Sequence, residues 1–356
     1  MTTSLAEDWG NPSSAHAFGL KAKTGIDLAR RAVADLVGAE PTMVLFTSSA
    51  TEANNTAILS ALRGKQQRHR LVAGATEHSA VITMGNAQAE SGCEQVLISP
   101  HTSGVVDMDK LAGAIDSRTA LVSIMWANNE TGVVNPIEEI AALCQVRGVL
   151  FHCDAVQAAG KVPINLRKIA IDYLTLSAHK IHGPKGIGAL VVSNGAPFFP
   201  MHYGGHQEGG RRGGTENVPA VVGFASAARA AATELVDRGI RVAALRDKLE
   251  GRILAEVPGT EVNGLGAPRL PNTSNIGFGG IDSDTLVALL DQRGVCVSSG
   301  SACLSDAITP SHVILAMTGS YQKASEAIRF SLSHLNTEAE IEYTIDAVKQ
   351  AVAALR

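Results

Sequence analysis

Ser177-Ala178-His179-Lys180-Ile181-His182-Gly183-Pro184-Lys185-Gly186 sets a lysine just after an apolar run, among small, hydroxyl and glycine residues. A primary amine in such surroundings suits Schiff-base chemistry, and the hydroxyl and backbone groups beside it suit a phosphate. Taken alone, the segment also reads as a surface lysine in a glycine-rich turn. His179 and His182 have the spacing of a metal-binding pair. With no glutamate between them and no helical periodicity, a metal ranks below a cofactor. His152-Cys153-Asp154-Ala155-Val156-Gln157 ends another apolar run on a carboxylate. A buried Asp is costly unless it meets a cation, and the protonated ring nitrogen of an electron-sink cofactor is one. The plainer reading is an Asp that caps a helix. Ser48-Ser49-Ala50-Thr51-Glu52 opens a helix with small and hydroxyl residues, which suits an anion site and a plain N-cap with a nearby Glu together.

Of the five cysteines, Cys303 stands out. Its neighbours Ser298-Ser299-Gly300-Ser301-Ala302 are small and polar, so its thiol can be exposed and reactive. Cys296, in the apolar run Val295–Val297, reads as a small buried hydrophobe, as do Cys93, Cys144 and Cys153. No CxxC pair occurs, and the odd count disfavours a disulfide framework or a structural zinc or iron–sulfur site.

These groups need a frame. Strand-like runs at Met43–Thr47, Leu71–Gly74, Ala120–Met125, Val149–Cys153, Tyr173–Leu176 and Ile187–Val192 alternate with helical patterns. Among the latter are Ile26, Ala29, Val33 and Leu36, stopped by Gly38, and the stretches from Thr51 to Leu62 and around Ile137–Val146. The alternation predicts an α/β fold with a mostly parallel sheet covered on both faces. Ligands of such sheets bind beyond the carboxyl ends of the strands, where Thr51, Asn128, Asn129, Asp154 and Ser177–Lys180 fall. From Pro219 an Ala-rich helical stretch is expected to run to Glu256. Asn275–Phe278, Thr285–Arg293, Val295–Val297, Ile328–Ser331 and a last helix from Thr337 then form a smaller α+β unit. The expected division is 1–236 for a large domain and 237–356 for a small one carrying Cys303.

A chain of 356 residues with 45% hydrophobic and 18% charged residues buries more than one core. Its net charge of -4, without long runs of one sign, argues against nucleic acid or an anionic membrane as partner. The N-terminus lacks a basic segment followed by an apolar one, and Ala220–Ala232, interrupted by Arg229, is too short to span a bilayer. The expected location is cytoplasmic.

FTSSATEANN (46–55), TEHSAV (76–81), WANNETG (126–132), HCDAVQAAGK (152–161), SAHKIHGPKGIGAL (177–190), GGHQEGGRRGGTEN (204–217), SSGSACLS (298–305) and IRFSLS (328–333) resemble, in order, the motifs of the cysteine desulfurases. These are fold-type I enzymes that use pyridoxal 5'-phosphate. WANNETG and GGHQEGGRRGGTEN look most like the nitrogenase-associated branch, with the housekeeping branch a close second. The resemblance implies that L-cysteine becomes L-alanine while its sulfur passes to Cys303 as a persulfide. It gives Lys180 the Schiff base, Asp154 the ring nitrogen and Gln157 the ring hydroxyl. His78 would stack on the ring and serve as acid/base. Ala50, Thr51, Ser177 and His179 would cradle the phosphate, with Thr215 reaching the phosphate of a second subunit, hence a homodimer. Asn129 and Arg329 would hold the substrate, Arg329 by its carboxylate. Cys303 would pass sulfur to an iron–sulfur scaffold protein, touching iron only in passing.

The family's upstream Leu-Asp-Asn-Ala-Thr-Thr-like strand motif is absent before Gly10-Asn11-Pro12-Ser13-Ser14, and no long tail follows the last helix; a longer native start is the expectation. The alternatives are a selenocysteine lyase or small aminotransferase on the same fold, and a sulfur carrier or scaffold-binding protein without turnover. A metal held by His152, Cys153 and Asp154 is a poor fit, because neighbouring strand residues point to opposite faces.

Overall fold

The computed structural model describes residues 1–65, 67–300 and 310–356. Seven strands form one sheet: β1 (Val44–Thr47), β2 (Arg70–Gly74), β3 (Glu94–Ile98), β4 (Thr119–Ser123), β5 (Leu150–Asp154), β6 (Tyr173–Ser177) and β7 (Gly188–Val192). Their order is β1-β7-β6-β5-β4-β2-β3. All neighbours run parallel except β7, which is antiparallel to both β1 and β6. Helices α1 (Thr2–Glu7), α2 (Ala17–Val37), α3 (Ala50–Gly64), α4 (Ser79–Ala87), α5 (Met108–Ala114), α6 (Ile137–Arg147) and α7 (Val218–Thr233) accompany it. A second sheet follows, in the order β10-β11-β9-β8, from β8 (Thr260–Val262), β9 (Thr273–Phe278), β10 (Ser298–Ser299) and β11 (Ala327–Ser331). With it come α8 (Leu235–Glu256), α9 (Ser283–Asp291), α10 (His312–Thr318), α11 (Tyr321–Ser325) and α12 (Glu338–Leu355).

The central strands β4 to β7 are buried along their length and mostly apolar because both faces are covered. On one face α2 packs against α7. Ile26, Ala29 and Val33 repeat at helical spacing and are buried, each large aliphatic side chain contributing roughly 1.5–3 kcal/mol. Gly38 ends α2 at φ 64°, a conformation that favours glycine. Ala53, Ala57, Ile58 and Ala61 of α3 pack on the other face, in a cluster with Leu71, Leu121 and Leu190. At Gly188 the sheet and the start of α3 nearly touch: an added Cβ would lie 2.7 Å from the Ser49 carbonyl carbon and 2.9 Å from the Ala50 nitrogen. That absence of a side chain lets the first turn of α3 sit at the end of β1.

Three expectations need correcting. The edge strand β3 escaped notice because Glu94 and Gln95 break its apolar pattern, as its exposed position allows. The helical stretch from Pro219 to Glu256 is two helices, broken where Glu234 takes φ -108° and ψ 11°. The break follows from loyalty to two cores: Val221, Phe224 and Ala228 belong to the core of the large sheet, whereas Val242, Leu245, Leu249 and Ile253 belong to that of the second sheet. Val295–Val297 is not a strand. The Val295 amide turns back to the Leu290 carbonyl at 2.9 Å, and pairing with β11 begins only at Ser298. Cys296 is therefore exposed rather than buried.

Candidate active site

The parallel strands deliver their next residues to one edge of the large sheet. β1 ends at Thr47 and leads to Ser48-Ser49-Ala50-Thr51. Ser49 caps α3 by accepting from the Glu52 amide at 3.2 Å, and Glu52 in turn accepts from the Ser48 amide and hydroxyl at 2.8 and 2.6 Å. The amides of Ala50 and Thr51, in the first helical turn, have no acceptor within the helix, so this end offers donors to an anion. The cap reading of the segment holds, and the cap leaves these amides available to an anion. Ser177 ends β6, and its hydroxyl meets His179 Nδ1 at 2.9 Å. Burial, followed by the charges of Lys180 and Lys185, lowers the pKa of His179.

β2 leads to Thr76-Glu77-His78. His78 caps α4: its Nδ1 accepts from the Ala80 amide at 3.1 Å. The neutral ring therefore carries its proton on Nε2. Burial lowers the pKa of His78; Asp154 opposes this, and the nearby Lys180 and His312 add to it. His78 is thus a neutral donor at physiological pH.

Asp154 closes β5 and is buried. Its Oδ2 accepts from Asn54 Nδ2 at 2.8 Å and its Oδ1 from the Val156 amide at 3.0 Å. Burial raises its pKa, an effect that these two bonds and the electrostatic influence of His78 and Lys180 only partly offset. A buried carboxylate held open by two donors, beside a lysine, awaits a cationic partner. Lys180 follows at an exposed position in the turn Ala178–Ile181 after β6. Gln157 lies three residues past Asp154, and its side-chain and backbone oxygens accept from Lys161 Nζ at 3.3 and 2.8 Å.

Arg329, on β11, reaches across from the second sheet. It donates to the Asn129 carbonyl at 2.9 Å and to the Ser298 hydroxyl at 3.1 Å. Arg329 Nε and Asn129 Oδ1 are buried and without a partner. Such orphans are rare, and a ligand offering a carboxylate and an amine would satisfy them. Thr215 is exposed and lines a cavity with Thr47 and Ser48, just before α3, and with Glu208. The Glu208 carboxylate takes both Arg30 nitrogens at 2.6 and 2.7 Å and the Phe46 amide at 3.0 Å. Cys303 lies outside the described residues.

Sequence reasoning missed several members of the site. Asn54, one turn into α3, had no distinguishing spacing. Glu77 is buried, accepts from the Met125 amide at 2.6 Å, and has its pKa pushed well up by burial. His312 Nε2 donates to the Glu77 carbonyl at 3.0 Å. The buried Glu130 accepts from the Ser311 hydroxyl at 2.5 Å. His152, wholly buried with its pKa pushed down to about 3, contacts Ser123 and Thr175 through both ring nitrogens and so has none left for a metal.

The donor set fits pyridoxal 5'-phosphate. There are amides and hydroxyls at a helix start for a phosphate, a buried carboxylate for a ring nitrogen, an amide for a ring hydroxyl and a lysine for an aldehyde. A consequence for the bare protein follows from Asp154. Its raised pKa means that the folded chain holds a proton the unfolded chain releases first, so stability falls as pH rises from the unfolded value of 3.8 through the folded one. Asp154→Asn removes that loss. Its new amide NH2 can meet a flipped Asn54, whose Oδ1 is otherwise buried without a partner. The cofactor-free variant is therefore expected to melt a few degrees above the cofactor-free parent at neutral pH, a gain that vanishes towards pH 4; calorimetry at both pH values checks it.

The aminotransferase class-V family profile matches residues 1–344. A cysteine desulfurase of Cereibacter sphaeroides is 48% identical over all of this chain and 92% of its own length. The cysteine desulfurase NifS of Azotobacter vinelandii is 44% identical over all of this chain and 89% of its own. Among solved structures, a NifS-like protein superposes with a TM-score of 0.92 at 34% identity, over 99% of this chain and 94% of that one. A NifS-like protein from Rickettsia africae superposes with a TM-score of 0.88 at 33% identity, over 98% of this chain and 93% of its own.

Proposed function

We propose, since the chain belongs to the cysteine desulfurases within the aminotransferase class-V family, that it takes sulfur from L-cysteine, releases L-alanine and holds the sulfur as a persulfide on Cys303. What supports this is that Asp154, His78 and Lys180 lie close enough to interact electrostatically, and that Asn129 Oδ1 and Arg329 Nε are buried without a partner. Bound there, pyridoxal 5'-phosphate supplies an electron sink for the substrate's Cα.

The chain's own groups then divide the work. Ala50, Thr51, Ser177 and His179 hold the phosphate. Asp154 keeps the ring nitrogen protonated, and Gln157 faces the ring hydroxyl. Arg329 grips the substrate carboxylate and Asn129 orients the substrate beside it. The Lys180 amine takes the Cα proton. Neutral His78 donates from Nε2 and takes a proton back, shuttling between substrate and thiol. The Cys303 thiolate attacks the substrate sulfur, breaking its bond to carbon, and the carbon fragment leaves protonated as alanine.

The 1–236 and 237–356 division suits this work, because Arg329 and Cys303 then come from one unit and the cofactor groups from the other. A homodimer is supported by the exposure of Thr215 on the single chain. The exposed stacked pair Trp9 and Phe18, 72% and 52% accessible, and Tyr203, 77% accessible, add apolar surface for a second copy. The sulfur acceptor is an iron–sulfur scaffold protein, which Cys303 meets together with its iron only during transfer. Among the described residues no helix is long and apolar enough to cross a membrane; a cytoplasmic place and supply of nitrogenase are the readings that the NifS likeness favours. The test is to incubate the purified protein with L-cysteine, cofactor and a dithiol. Alanine and sulfide are expected in equal amounts. A keto acid in place of alanine would make it an aminotransferase, and action on selenocysteine alone a lyase.

A further inference from the structure

Lys161 has no part in the roles above, yet it sits against them. It belongs to the turn after Gln157, where its ammonium donates to the Gln157 backbone carbonyl at 2.8 Å and to the side-chain Oε1 at 3.3 Å. An ammonium has donors only, so it fixes which end of the amide faces it. With Oε1 turned to Lys161, the amide NH2 is the end left for whatever Gln157 meets. We propose that Lys161 is a positioning residue for the cofactor: it orients Gln157 so that an amide donor, not an acceptor, faces the ring oxygen, and it adds a positive charge beside the Lys180 nitrogen.

This deepens the functional reading above and rests on it. The ring oxygen next to the anchoring nitrogen is an acceptor when ionised, and a flipped amide would oppose it with a second acceptor. The surroundings keep Lys161 from being an ordinary cation. It lines a cavity between α7, α8 and the turn Ala178–Ile181. From that turn the cavity receives Lys180, from the residue after it His182, from α8 Arg238, and from the segment after β11 His334. None of its described lining residues is a carboxylate, and the nearby Glu234 is taken by Arg238 at 2.5 Å. Burial, followed by the charge of Lys180, brings the pKa of Lys161 down to about 7. The coupling is reciprocal: a cation at Lys161 disfavours a second positive charge on the Lys180 nitrogen.

Two effects of Lys161 therefore act in the same direction. Its charge opposes protonation of the Lys180 nitrogen. The amide donor it sets draws negative charge from the ring oxygen, which weakens that oxygen's hold on the same proton. Removing Lys161 relieves both, so the nitrogen keeps its proton to higher pH.

The experiment is a pH titration of the visible absorbance of the purified, cofactor-loaded protein, without substrate. Lys161→Met is expected to raise the midpoint by about half a unit or more, and Lys161→Arg, which keeps the charge and a donor, to restore most of the parent value. A merely structural role would change melting and leave the midpoint in place. A Lys161→Met protein that binds cofactor with an unshifted midpoint overturns the proposal, and so does an equal shift in Lys161→Arg. If Lys161→Met fails to fold, Gln157→Ala, which keeps the lysine, decides: a raised midpoint supports the orientation and an unchanged one overturns it. A parent protein with no visible cofactor band would instead defeat the functional reading itself.

Discussion

Lys180→Ala is expected to lower turnover of L-cysteine by at least about ten-thousandfold, because it removes the covalent anchor and the base together, and a positioned base alone contributes roughly a hundred- to ten-thousandfold. The fold should survive. Lys180 is exposed, at the end of a short turn whose packing comes from the buried neighbours Ala178 and Ile181. Cofactor should still enter, since the first turn of α3, Ser177 and Asp154 are untouched, but it should no longer be fixed to the chain. Borohydride reduction followed by peptide mass mapping tests this directly. In the parent, reduction should attach the cofactor to Lys180; in the variant, to no lysine. The informative competitor is Lys161, whose pKa burial and the charge of Lys180 bring down to about 7. A label found there in the parent protein would move the anchor and undo the assignment of Lys180. The bonds of Lys161 to both Gln157 oxygens argue that its amine is already engaged.

Legibility differed between site and frame for physical reasons. Strands buried on both faces announce themselves as apolar runs, so β4 to β7 were readable within a residue or two, and Gly38 marked the end of α2 because only glycine takes that φ cheaply. The edge strand β3 was not readable, since exposure lets Glu94 and Gln95 interrupt the pattern. The break at Glu234 was hidden because the sequence stays helix-favouring across it; what turns the chain is which core each half packs on, a tertiary fact. The same holds in the site. Asp154, Lys180 and His78 stand at strand ends within quotable motifs. Asn54, Glu77 and Lys161 act through contacts to those residues, and nothing in their own spacing predicts whom they touch. Cys296 misled for a local reason: its apolar neighbours suggested a strand, but the Val295 amide turns back to α9 and leaves the thiol outside.

Cys303→Ala is expected to cut sulfide release by about a thousandfold or more while the cofactor band, its pH midpoint and its response to L-cysteine remain, because the loss of a covalent nucleophile spares the binding groups. The described residues on either side of its segment touch groups of the site. The chain departs at Ser298–Gly300 and returns at Ser311–His312. Ser298 accepts from Arg329, Ser311 donates to Glu130, and His312 donates to the Glu77 carbonyl next to His78. Gly300 sits so close that an added Cβ would lie 2.3 Å from that of Ser311. One end thus meets Arg329, proposed to hold the substrate, and the other the buried Glu130 and the carbonyl beside His78. No other cysteine can stand in. Burial pushes up the thiols of Cys93 and Cys153, and that of Cys144 to about 12, so none is a ready thiolate. Cys296 is exposed but shares a cavity with Phe330, Ile341 and Tyr343. Phe330 and Arg329 are adjacent on β11 and point to opposite faces, so that cavity lies across the sheet from the substrate groups. Intact-mass analysis after brief exposure to L-cysteine should find one added sulfur on the parent and none on Cys303→Ala. Sulfide release by the variant at more than about a tenth of the parent rate would move the nucleophile to another group.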